Sequence, residues 1–186
     1  MRPASRSGRP QAPSIPEMEQ LMGRCTAPLR RADEVWPGLY LGDAVIANDL
    51  EAMKEMGITH VLNAAHSSWD CKGDQVVYGQ GINYYGITAE DCPDFNLSVY
   101  FHTAADFIHS AVSSPRGKVL VHCVLGRSRS ATLVLAYLMI YHRFSLIDAL
   151  HKVSACRPIC PNRGFLKQLQ DLDLDLRCRW KFCILF

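Results

Sequence analysis

His122-Cys123-Val124-Leu125-Gly126-Arg127-Ser128-Arg129-Ser130 joins two segments that both read as buried. Before it, Val119-Leu120-Val121 is a continuous apolar run, the pattern of a central strand covered on both faces. After it, residues 130–141 are apolar on nearly every side, which predicts a buried helix. A strand that turns through a short loop into a helix aims the loop's backbone N–H groups and the helix N-terminus at one spot, and such a spot binds anions. Val124, Leu125, Gly126, Arg127 and Ser128 form the ring of donors, and Ser128 tightens it. Gly126 lets the backbone turn sharply and come close to a ligand. Arg129, six residues after Cys123, can fold back and grip two phosphate oxygens bidentately. Cys123 lies at the floor of the ring. The field that holds a phosphate also favours thiolate over thiol, and a thiolate below a bound phosphate is a nucleophile aimed at phosphorus. A lone Cys after a strand is normally a small buried hydrophobe; Gly, Ser and Arg at fixed offsets argue against that here. His122 either orients the loop by hydrogen bonding or is a core histidine with its bonds satisfied.

Outward from this junction, strands alternate with helices. Residues 36–42 read as a turn-bounded strand region. Asn48 can cap a helix running to Met56, with Gly57 as its stop. Residues 58–63 are short and β-branched, a strand. Residues 66–81 read mainly as loop, and 82–87 as a second buried strand. Apolar positions at helical spacing mark residues 97–112. Ser145-Leu146-Ile147-Asp148 resembles a capping box that opens a helix to about Ala155. Pro161-Asn162 starts a last helix carrying Phe165, Leu166, Leu169 and Leu172 on one stripe. The alternation predicts an α/β domain, a central mixed sheet flanked by helices, over residues 31–176. Residues 1–30 are expected to be a disordered tail: Pro3, Pro10, Pro13 and Pro16 accompany Arg2, Arg6 and Arg9, and the first sixteen residues carry no acid. Residues 177–186 are expected to be a C-terminal tail.

Composition narrows the partners. The chain has 186 residues, with 20 basic against 18 acidic side chains and a net charge of +2, so neither nucleic acid nor an anionic membrane is called for. No secretory signal opens the sequence, and the eight cysteines are read as reduced thiols, with a cytoplasmic location, or a nuclear one as well, as the expectation. Cys156/Cys160 and Cys178/Cys183 are close pairs without the further ligands of a zinc site, so neither metal nor cofactor is implied.

His-Cys-x5-Arg-Ser resembles the signature of the cysteine-dependent protein tyrosine phosphatases. Asn63-Ala64-Ala65, Asp91, Phe95-Asn96-Leu97-Ser98, Ser128-Arg129-Ser130-Ala131-Thr132 and Pro161-Asn162-Arg163-Gly164-Phe165 extend the resemblance to the small, atypical single-domain dual-specificity phosphatases. It covers nearly all of residues 35–176. The resemblance implies the cysteine phosphatase fold and hydrolysis of phosphotyrosine, phosphoserine and phosphothreonine through a cysteinyl-phosphate. Its partners would be phosphorylated proteins, protein kinases among them. The leaving group needs a proton from a positioned carboxylic acid. Glu90, Asp91 and Asp94 lie in the right loop, and the family's general acid falls on Asp91. The resemblance also gives Ser130 the task of donating to the departing thiolate, where a plain N-cap is the competing reading. Asn162 either buttresses the phosphate loop or only caps its helix. The loop lacks the extra lysines of inositide phosphatases.

Two other functions compete. One is a phosphoprotein-binding adaptor that regulates a kinase pathway, and it normally lacks the nucleophile that Cys123 supplies. The other is RNA 5′-triphosphatase activity, which would want a basic groove. Separately, Cys183-Ile184-Leu185-Phe186 fits a C-a-a-X box with Arg177, Arg179 and Lys181 upstream. Membrane association is expected only if Cys183 is prenylated; an apolar tail packed on the domain is the alternative.

Overall fold

The computed structural model describes residues 12–66, 75–79 and 81–183. The elements run α1 (Ile15–Gly23), β1 (Ala32–Trp36), β2 (Leu39–Gly42), α2 (Ala44–Ala47), α3 (Leu50–Met56), β3 (His60–Asn63), α4 (Gln75–Tyr78) and β4 (Asn83–Gly86). A 3-10 turn at Ser98–Tyr100 leads into α5 (Phe101–Ser113), followed by β5 (Val119–His122), α6 (Arg129–His142), α7 (Leu146–Ser154) and α8 (Arg163–Cys183).

The five strands form one mixed sheet in the order β1-β2-β5-β3-β4. Only β1 is antiparallel to its neighbour. β5 is the middle strand and all four of its residues are buried, as its unbroken apolar run requires. Its side chains alternate between two cores. Val119 and Val121 join the larger one, with α1, α5, α6, α7 and α8. Leu120 faces the smaller one, with Ala47, Met53, Val61 and Tyr78. Helix α6 is buried from Arg129 through Met139.

Several boundaries differ from the sequence reading. Helix α3 is capped by Asp49, whose side chain accepts from the Ala52 N–H, while Asn48 closes α2 instead. The segment 82–87 is not a buried strand: β4 lies at the sheet edge, with Asn83 exposed and the next three residues half-buried. Within 66–81 the chain forms the short α4; Tyr78 is buried and its hydroxyl donates to the Ala47 carbonyl at 2.9 Å. Residues 67–74 lie outside the described residues.

The expected tails need correction. Residues 15–23 are not disordered but form α1. Ser14 and Glu17 make a reciprocal capping box, and Pro16 stands in the first turn, where its missing N–H is no loss. Met18 is fully buried and Met22 nearly so. At the other end, α8 continues past residue 176 to Cys183, held by Leu176 and Trp180 against the core and by an Arg177–Asp173 ion pair at 2.7 Å. Counting prolines overlooked where in a helix they fall. Residues 1–11 and 184–186, with the rest of the C-a-a-X reading, lie outside the described residues.

If α1 is an integral part of the core, Met18→Ala will lower the unfolding free energy by about 2–5 kcal/mol, read as a reduced urea midpoint with native secondary structure retained.

Candidate active site

The parallel register of β2, β5 and β3 ends all three strands at one side: Gly42, His122 and Asn63 stand abreast. The chain leaves β5 at His122, passes through residues 123–128 and enters α6 at Arg129. In a trans peptide the C=O and the following N–H point in opposite directions, and there is no cis bond among the described residues. Four successive carbonyls of this loop are drawn to one side. Val124 accepts from the Ala44 N–H at 3.0 Å, and Arg127 from the Cys160 N–H at 2.8 Å. Leu125 and Gly126 accept from the Arg157 guanidinium at 3.1 and 2.8 Å. The N–H groups of Leu125, Gly126, Arg127 and Ser128 are therefore turned to the opposite, concave side. None of them meets an acceptor among the described residues. Gly126 has φ +66°, and a Cβ there would lie 2.2 Å from the Gly42 carbonyl oxygen, so only glycine fits.

Cys123 is 1% exposed. The Ser130 hydroxyl donates to its Sγ at 3.2 Å. Because α6 begins one residue earlier than expected, Ser130 lies in the first turn and is not the N-cap; Ser128 holds that position without capping through its side chain. Instead Ser128 Oγ donates to Asp91 Oδ1 at 2.7 Å. Arg129 is buried, with Nη1 donating to the Ala89 carbonyl at 3.0 Å. Its Nε has no hydrogen-bond partner, though Asp91 Oδ2 approaches to 3.8 Å. A buried guanidinium with a free donor, anchored by its far nitrogen, is suited to an anion.

Asp91 is gathered into this cluster from the loop after β4. Besides Ser128, the Asn162 Nδ2 donates to the same Oδ1 at 2.9 Å. Asn162 Oδ1 accepts from the Phe165 N–H at 3.0 Å, so this residue both caps α8 and touches the catalytic cluster. Gly164 lets the loop dock: a Cβ there would lie 1.9 Å from the Pro93 carbonyl oxygen. Asp94 is exposed and shares none of these contacts. The Arg127 side chain leaves the pocket, its Nε donating to the Pro158 carbonyl at 3.1 Å. Leu125 is 63% exposed at the rim.

His122 is a core histidine. Its Nδ1 lies 3.4 Å from the Cys123 carbonyl oxygen and its Nε2 has no partner. Burial pushes it down to about 4; the Cys123 carbonyl and Asp43 oppose that shift, and Arg129 adds to it.

The sequence reading did not single out Arg157 or Pro158, and it weighed Cys160 only as a metal ligand. Arg157, Pro158 and Cys160 all hold the loop, yet nothing in local patterning marks them. An arginine before a proline in a connection reads as surface until its partners are seen.

The match to known proteins is now direct. Residues 39–173 match the family model described as dual specificity phosphatase, catalytic domain. The chain is 57% identical over 162 residues to dual specificity protein phosphatase 26 of Rattus norvegicus, covering 87% of this chain and 76% of that one. Among solved structures, human DUSP28 superposes with a TM-score of 0.71 at 30% identity, over 81% of this chain and 98% of its own. The human tyrosine phosphatase-like serine/threonine/tyrosine-interacting protein superposes at 0.69 with 34% identity, over 76% and 95%. The chain belongs to the dual-specificity phosphatase family. It is a dual-specificity protein phosphatase, and its substrates are phosphorylated proteins.

The buried His122 makes stability depend on pH. Unfolded, it titrates near 6.5; folded, it resists protonation down to about 4. Between these values the unfolded chain takes up a proton that the folded chain refuses. Stability is thus fully present above about pH 6.5 and falls as the pH drops toward 4, by about 3 kcal/mol from this group. Urea unfolding between pH 7 and 4.5 should show this loss in the wild type and a shallower one in His122→Gln.

Proposed function

We propose that phosphoryl transfer proceeds in two steps with these residues in the following roles. Cys123 Sγ attacks phosphorus while the N–H groups of residues 125–128 and the guanidinium of Arg129 hold the phosphate oxygens. The P–O bond to the substrate side chain breaks, and Asp91 gives its proton to the departing oxygen. A cysteinyl-phosphate remains. Asp91, now a carboxylate, takes a proton from a water that attacks phosphorus. The S–P bond breaks, and Ser130, by hydrogen bonding to the leaving thiolate, eases that departure.

The observation that carries this reading is the joint placement of a buried Cys123 under unused donors, with Ser130 at 3.2 Å from its sulfur and the Asp91 carboxylate tied to the same loop at 2.7 Å. A nucleophile, its leaving-group donor and a carboxyl group are more than binding a phosphate alone requires, which favours the enzyme over an adaptor. A thiolate nucleophile works only while reduced, which suits the cytoplasm. Among phosphorylated proteins, kinases of signalling pathways are the substrates we infer.

Metal-free hydrolysis of an aryl phosphate and of phosphotyrosine and phosphothreonine peptides tests the assignment. Cys123→Ser should abolish turnover. Asp91→Asn should lower kcat for the peptides by roughly 10²–10⁴-fold, and less for an aryl phosphate whose leaving group needs no proton. Asp94→Asn should behave as wild type; a large loss there would move the acid to Asp94.

A further inference from the structure

Arg157 is fully buried, and its guanidinium makes four hydrogen bonds. Nε donates to the Gly126 carbonyl at 2.8 Å and Nη2 to the Leu125 carbonyl at 3.1 Å. Nη1 donates to the Arg30 carbonyl at 2.8 Å and to Asp33 Oδ2 at 2.7 Å. Asp33, on β1, is itself buried, and Arg30 reaches its other oxygen at 3.4 Å. A buried ion pair is an expensive way to stabilise a fold, since apolar side chains of the same volume often do as well. What apolar side chains cannot do is bond two consecutive peptide carbonyls in one plane. A planar guanidinium can, and an ammonium cannot do so with the same fork geometry.

We propose that Arg157 is a positioning residue for phosphoryl transfer. By holding the carbonyls of Leu125 and Gly126 outward, it turns the N–H groups of Gly126 and Arg127 toward the phosphate, and Asp33 holds Arg157 in place. Two of the four loop donors then depend on a side chain 31 and 32 residues beyond the carbonyls it holds and on a strand at the far edge of the sheet. The Asp33 carboxylate also offsets the buried positive charge, so the contribution of Arg157 is the direction of the peptides and not a field at the sulfur. Gly126 reinforces this design, since a Cβ there would stand 2.7 Å from Arg157 Nη2.

The proposal rests on the phosphatase reading for its kinetic arm alone; phosphate binding and thiol alkylation are read without turnover. Two variants test it. Arg157→Lys keeps the charge and loses the fork. Asp33→Leu/Arg157→Met removes both partners together, so no buried charge is stranded. Measured by titration calorimetry below each variant's melting temperature, with native circular dichroism, binding of inorganic phosphate should weaken by on the order of 10–100-fold in both. KM for an aryl phosphate should rise and kcat fall, and iodoacetamide should alkylate Cys123 more slowly at pH 6. Either variant folding normally with wild-type phosphate affinity and alkylation would overturn the proposal. So would failure of both to fold, because the pair would then serve stability. A wild type that binds phosphate but turns nothing over would instead sink the phosphatase reading, leaving the binding comparison intact.

Discussion

A peptide group that turns its N–H toward a pocket turns its C=O away from it, and a buried carbonyl needs a donor of its own. That constraint organises this molecule. A loop that offers four N–H groups to one anion must find donors for four carbonyls behind it. The backbone after β2 supplies one through Ala44, and the connection between α7 and α8 supplies the other three through Cys160 and Arg157. Both must be folded before the loop can hold its shape, so the site is a property of the whole domain.

Much of this was legible in the sequence. The buried β5, the loop and the buried α6 follow from hydrophobic patterning, and the meeting of Cys123, Gly126 and Arg129 at that junction follows from their spacing. Helices α7 and α8 were marked by their caps, Ser145 and Asn162. What stayed hidden has physical reasons. β4 is short and β-branched only at its flanks, so edge and centre look alike until its neighbours are known. α1 hides among prolines because its start signal, the capping box of Ser14 with Glu17, spans only four residues inside a proline- and arginine-rich stretch. Arg157 is invisible because a buried arginine is justified only by partners more than thirty residues away in sequence, Leu125 and Gly126 on one side and Asp33 on the other.

The same loop explains why some polar groups are buried at a cost. His122 is enclosed where β5 ends between β2 and β3, and the histidine stays neutral because the surroundings offer little solvation for its cation. Arg129 keeps its Nε without a partner inside the protein. A buried guanidinium donor of that kind is well matched to an oxyanion.

Access to the nucleophile is set by the thickness of the loop. Cys123 is 1% exposed while Leu125, two residues on, is 63% exposed. The floor and the rim of the site are therefore parts of one turn of chain. A phosphate seated on the loop donors needs only a short tether to reach the surface, and the side chains of phosphoserine and phosphothreonine are short. A deep cleft would exclude them and admit only phosphotyrosine. Asp91 stands at the same level as the rim, its side chain 39% exposed yet fixed at Oδ1 by Ser128 and Asn162. A carboxyl held there meets the bridging oxygen of a long or a short phosphorylated side chain alike, because the loop fixes the phosphorus and the variable part of the substrate lies outside. With the roles proposed for Cys123, Arg129 and Asp91, nucleophile, anion donors and acid lie on a single loop and its immediate contacts, and the length of the substrate side chain stays outside that constellation.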